Sequence, residues 1–138
     1  MSDLSVSDNL IIEPTFTTPA IRFEPEKRTF SISGNSYPEN SLKFYSPILQ
    51  WLENFVLRHT PDAHPINVEV RMEYFNTSTA KVLLDLFRLF ESLYEKGQPV
   101  IVRWIYNKED TEMEDAGLDY QAAVKMSFEL VPIDEEES

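Results

Sequence analysis

VEVRMEYFNTSTAKVLLDLFRLFESLYEK, residues 68–96, passes from a strand through a polar corner into a long helix without a break. Val68, Val70, Met72 and Tyr74 alternate with Glu69, Arg71 and Glu73, the period-two pattern of a sheet with one wet face. From Ala80 to Lys96 there is no Gly or Pro. Val82, Leu83, Leu86, Phe87, Leu89, Phe90, Leu93 and Tyr94 recur at helical spacing until Gly97 closes the run. Between them stand four hydroxyl or amide side chains, Asn76, Thr77, Ser78 and Thr79. Such residues suit a helix start, whose first amides have no intrahelical acceptor, so capping is the plain reading. The same free amides and positive helix end also stabilise a dianion, so a phosphorylated hydroxyl is the sharper alternative at this corner.

Working outward, Val100–Tyr106 is β-branched and aromatic, as expected of an interior strand. Asn107–Glu114 is polar and acidic, the run into Ala122 suggests a short helix weakened by Gly117, and Val124–Val131 suggests a last strand. On the other side, Ala20–Ser33 reads as a hairpin turning at Pro25-Glu26-Lys27 and ended by Gly34. Asn35–Asn40 forms a second polar corner in which Pro38 suits a first helical turn and Ser36 or Asn40 suits a cap. The helical stripe of Leu42, Tyr45, Leu49, Leu52, Phe55 and Val56 follows, and Pro47 predicts a kink or a later start. Residues 1–19 read as a flexible arm with Leu10–Ile12 as a candidate edge strand, residues 20–133 as one domain, and residues 134–138 as an acidic tail. The expected architecture is a two-layer α/β domain, a mixed sheet of about five strands with helices on one face.

A net charge of −12 argues against autonomous nucleic-acid binding, which needs clustered Lys and Arg. With no cysteine, disulfides and thiolate chemistry are excluded. Neither a signal-peptide pattern nor a run of apolar residues long enough to span a membrane is present, which points to a cytoplasmic protein.

His59 and His64 lie in a Pro-rich loop with an offset that matches no helical zinc pair, and read as surface histidines. Glu109, Asp110, Glu112, Glu114 and Asp115 lack the glycine-centred loop of an EF-hand and read as a solvated helix start. No phosphate-cradling glycine loop or nucleophile elbow occurs, so neither cofactor nor enzymatic activity is expected. The apolar arc of the Ala80–Lys96 helix is wider than a core-facing stripe needs. The excess is either covered by the preceding helix or left as a partner-binding patch beside the corner.

Gly34-Asn35-Ser36-Tyr37-Pro38-Glu39-Asn40-Ser41, Phe44-Tyr45, Trp51-Leu52, Tyr74 through Lys81 and Val102-Arg103-Trp104-Ile105-Tyr106 together resemble the SiaC-type regulatory phosphoproteins, whose fold is similar to STAS domains and anti-sigma-factor antagonists. The resemblance implies a non-enzymatic switch. A GHKL-type partner kinase phosphorylates the corner threonine, here Thr77, and a PP2C-like phosphatase reverses it. The unmodified form binds and activates a diguanylate cyclase in c-di-GMP signalling. Tyr37, Glu39, Asn40, Asn76, Ser78, Thr79 and Lys81 are the accompanying candidates for partner contact, with Thr79 a further candidate hydroxyl and Lys81 a counter-ion for the phosphate. A partner-switching protein with another output and a small-ligand-binding STAS-like module are the alternatives.

Overall fold

The computed structural model describes residues 8–134, so residues 1–7 of the expected arm and 135–138 of the acidic tail lie outside the described residues. The elements in order are β1 Leu10–Ile12, β2 Ala20–Glu24, β3 Thr29–Ser36, α1 Ser41–Arg58, β4 Ile66–Phe75, α2 Thr77–Glu95, β5 Val100–Asn107, α3 Thr111–Ala123 and β6 Ser127–Ile133. A single 3-10 turn, Pro25–Lys27, joins β2 to β3.

The strands form one sheet in sequence order, β1-β2-β3-β4-β5-β6. β1, β2 and β3 pair antiparallel, while β3 through β6 are parallel and each successive pair is bridged by a helix. Alternation decides which face those helices cover: Phe30 and Ile32 of β3, Val68 and Val70 of β4 and Val102 and Trp104 of β5 are buried. Their neighbours Ser31, Glu69 and Arg103 lie on the opposite, wetter face. The aromatic centre of the core runs from Phe30 against Phe90 to Phe87 against Phe128.

The sheet has six strands, not five. Leu10–Ile12 is the sixth, held at the edge by antiparallel pairing that sets Leu10 opposite Phe23 and Ile12 opposite Ile21. β3 does not stop at Gly34. A bulge between Gly34 and Asn35, with Gly34 at φ 114°, lets the strand continue to Ser36. α1 consequently begins at Ser41 under an Asn40 cap, which leaves Pro38 outside the helix and Ser36 in the sheet. Pro47 does not delay the helix, which runs from Ser41 through it to Arg58. Both Pro47 and Lys43, whose carbonyl loses its partner, are exposed, so water can take the missing bond.

α3 is a full thirteen-residue helix. Gly117 is a requirement of its packing, because a Cβ there would stand 2.5 Å from Cδ1 of Trp104. Trp104 in turn donates from Nε1 to the Met113 carbonyl at 2.9 Å. The wide apolar arc of α2 is filled from both flanks, with Val82, Leu84 and Leu89 packed half-buried against the core. On the α3 side, Phe87 meets Tyr120 and the Tyr120 hydroxyl donates to the Ala80 carbonyl at 2.8 Å. Those positions are therefore core, while Tyr94 near the end of the helix stays exposed.

Candidate functional site

Because β3, β4 and β5 are parallel, α1, α2 and α3 all start at the same end of the sheet, beyond the carboxyl ends of those strands. This is where open α/β sheets place their functional groups. Asn40, Asn76 and Asp110 cap the three helices, accepting from the amides of Lys43, Thr79 and Met113, each at 3.0 Å.

Asn76 organises the central corner. Its amide donates to the Ser36 carbonyl at 3.1 Å, tying the end of β4 to the end of β3. Its side-chain oxygen also accepts from the Ser78 hydroxyl at 3.0 Å. Ser78 lies 2.6 Å from the Ser41 hydroxyl, which joins the starts of α1 and α2. α2 begins at Thr77 and not at Ala80, so Thr77 occupies the first helical position with an exposed side chain. Lys81, one turn further on, is exposed and makes no ion pair with any described residue.

Thr79 is fully buried, which removes it from the set of accessible hydroxyls. It donates to the Ser36 carbonyl at 3.2 Å and lies 2.7 Å from the Ser36 hydroxyl, itself 2.6 Å from the Tyr45 hydroxyl. This chain ties β3, α1 and α2 together beneath the corner. Burial holds the Tyr45 phenol above its usual titration range, against the opposing effect of its hydrogen bonds to Ser36 and Thr79.

Above the chain the surface is aromatic: Tyr37 and Tyr74 meet edge to face at 5.6 Å, 41% and 53% exposed. Leu42, on the first turn of α1, is 74% exposed. Glu39 and Asn40 are exposed beside it. Tyr74 and Leu42 carry no hydroxyl-and-cap signature; what marks Tyr74 in sequence is only that it ends an alternating run just before the corner.

The remaining candidates take structural places. His59 is half-buried, its Nε2 2.7 Å from Oε1 of the fully buried Gln98. The same oxygen accepts from the Asp62 amide at 3.1 Å, and Gln98 donates to the His64 carbonyl at 2.7 Å, so one glutamine pins the loop of residues 59–65. Glu112 and Glu114 fall in the first turn of α3, where its dipole favours them. No group of three or more potential metal ligands occurs among the described residues, and none of their helices is long and apolar enough to cross a membrane.

One-sided helices on a mostly parallel sheet, with exposed hydroxyls at a paired helix start, define a two-layer α/β domain. The chain belongs to the SiaC family of regulatory phosphoproteins, whose family model matches residues 12–133. It is similar to apo-SiaC from Pseudomonas aeruginosa, with a TM-score of 0.81 and 28% identity over 90% of this chain and 98% of that one. It is equally similar to a chain in the structure of diguanylate cyclase SiaD in complex with its activator SiaC from the same organism (TM-score 0.82, 28% identity, 90% of this chain and 99% of that one). An uncharacterized protein of Pseudomonas aeruginosa strain UCBPP-PA14 is 29% identical over 127 residues, covering 92% of this chain and 98% of its own length.

Proposed function

We propose that this chain is a non-enzymatic, cytoplasmic activator of a diguanylate cyclase, switched off by phosphorylation of Thr77. A GHKL-type kinase adds the phosphate and a PP2C-like phosphatase removes it. The observation that carries the reading is the exposure of Thr77 at the first position of α2, in a family of regulatory phosphoproteins. The solved complex of SiaD with its activator SiaC supports the choice of output.

The local chemistry fits. A phosphate on Thr77 adds about −1.5 to −2 charge beside the unpaired amides of a helix start, with Lys81 one turn away as counter-ion. The phosphate is thus stable on the free protein. It is unwelcome in a dry contact, because burying a dianion costs several kcal/mol unless every oxygen finds a partner. Tyr37, Tyr74 and Leu42 are the exposed apolar groups that such a contact would cover.

The test uses purified kinase, cyclase and four forms of this chain: unmodified, phosphorylated, Thr77→Ala and Thr77→Asp. Unmodified protein and Thr77→Ala are expected to bind the cyclase and raise its turnover. The phosphorylated form should do neither, and Thr77→Asp, with fewer oxygens and half the charge, should fall between. Phosphate mapped by mass spectrometry to another residue and retained in Thr77→Ala overturns the site. Equal activation by all four forms overturns the switch.

A further inference from the structure

Two adjoining cavities of about 310 and 260 Å³ open over the carboxyl ends of β4 and β5, sharing Glu73 and Asp110. The second has an apolar wall of Tyr74, Phe75, Met113 and Ala116, and its rim carries Glu73 and Glu112, both exposed. Asp110 is already committed to the Met113 amide, whereas Glu73 and Glu112 form no ion pair with any described residue. Among the described residues, Arg71 is the one cation lining either cavity. Lys108 nearby is engaged by Asp134 at 2.5 Å.

The groove is apolar at its floor and negative at its rim, on a chain whose net charge of −12 already attracts cations over distance. Its floor begins at Phe75, two residues before Thr77, so one partner can span both. We infer that this groove is an anchoring surface for the partner: a segment whose aliphatic or aromatic side chain packs on Phe75, Met113 and Ala116 while flanking Lys or Arg side chains pair with Glu73 and Glu112. The inference rests on the proposed activation of a diguanylate cyclase and assigns that cyclase the basic segment. It gives the contact two parts, a charge-complementary anchor at the groove and a phosphorylation-sensitive one at Thr77. Charge complementarity of this kind sets association rate and register, and it is screened by salt.

The experiment measures association and dissociation rates of the purified cyclase with unmodified protein across a salt series, comparing wild type, E73K/E112K, E73Q/E112Q and the control E26K/E53K. The control pair is exposed on the 3-10 turn and α1, away from the groove, and changes net charge equally with the first variant. Circular dichroism and melting confirm that each variant folds. Expected are a loss of affinity of about tenfold or more in E73K/E112K, a smaller loss with a flatter salt dependence in E73Q/E112Q, and about twofold or less in the control. Equal weakening of the groove variant and the control reduces the effect to net charge and overturns the inference, as does no weakening of either. Failure of wild type itself to bind the cyclase overturns the functional reading, and this inference with it.

Discussion

Replacing Thr79 with Val separates the two threonines of the corner by chemistry. Valine keeps the shape of the side chain and removes only the hydroxyl, so the packing beneath α2 is preserved. Two buried hydrogen bonds disappear, to the Ser36 carbonyl and the Ser36 hydroxyl, and the latter keeps only Tyr45. At about 0.5–1.5 kcal/mol net for each bond, the expected loss is about 1–3 kcal/mol. For 138 residues, an unfolding entropy of about 2.1 cal/mol/K per residue converts this to a fall in Tm of about 3–10 °C. Tyr45→Phe removes another bond of the same chain. The double variant should therefore cost less than the sum of the single ones, by at least about 0.5 kcal/mol. Thermal and urea unfolding supply the energies, and on the proposed function mass spectrometry after kinase treatment should find as much phosphate on Thr77 in Thr79→Val as in wild type. A melting temperature within a degree of wild type, or loss of the phosphate on removing the Thr79 hydroxyl, would refute the structural role assigned to Thr79.

Three further outcomes follow from the core and the far end of the sheet. Gly117→Ala brings a methyl group against Trp104; the overpacking outweighs the roughly 1 kcal/mol of helix propensity gained, leaving a net destabilisation of up to about 2 kcal/mol. A rise in Tm, or unchanged Trp104 fluorescence, contradicts it. Gln98→Ala strips the ties to His59, Asp62 and His64, and should speed hydrogen exchange across residues 59–65 well before it affects β4; uniform acceleration through the domain would count against local pinning. The Arg28 hydrogen bonds, offset in part by burial, hold the Asp62 carboxyl below its usual range, so the stability it contributes is present above about pH 4 and lost as the pH falls through its lowered folded-state value. The Tm difference between wild type and Asp62→Asn should accordingly be full at neutral pH and shrink below about pH 4; a pH-independent difference argues that the carboxylate charge is not what matters.

Periodicity made the central strands and helices legible, because burying one face of each is the dominant energetic demand on them. What it could not show depends on partners distant in sequence. Leu10–Ile12, a candidate edge strand from its sequence, is only three residues long and is fixed as a strand by pairing with β2. Gln98 looks like an ordinary turn residue until the fold buries it against the loop of residues 59–65. Gly117 looks like a flaw in a helix until Trp104 arrives from β5. The distinction between Thr77 and Thr79, by contrast, was present in the sequence. Thr79, Leu83, Leu86, Phe90 and Leu93 share one helical face, and they are all buried. Extending that face back to Asn76 starts the helix at Thr77, buries Thr79 and leaves Thr77 facing out; starting the helix at Ala80 hid this.

On the proposed function, the acidity of the chain constrains how a phosphate can release a partner. Adding about −2 to a net charge of −12 alters the distant field little, and at physiological ionic strength exposed charges more than about 8 Å apart are largely screened. If the partner presents cations to Glu73 and Glu112, one more negative charge nearby attracts it further. Release therefore has to arise from desolvation at the contact itself. Thr77 stands where that is most effective, because the cap of Asn76 and the Ser41–Ser78 link fix the helix start beneath it. Tyr37, Tyr74 and Leu42 surround this end of the sheet with surface that gains by drying. A hydrated dianion held there by helix amides and Lys81 keeps its water, and the aromatic surface beside it cannot be covered.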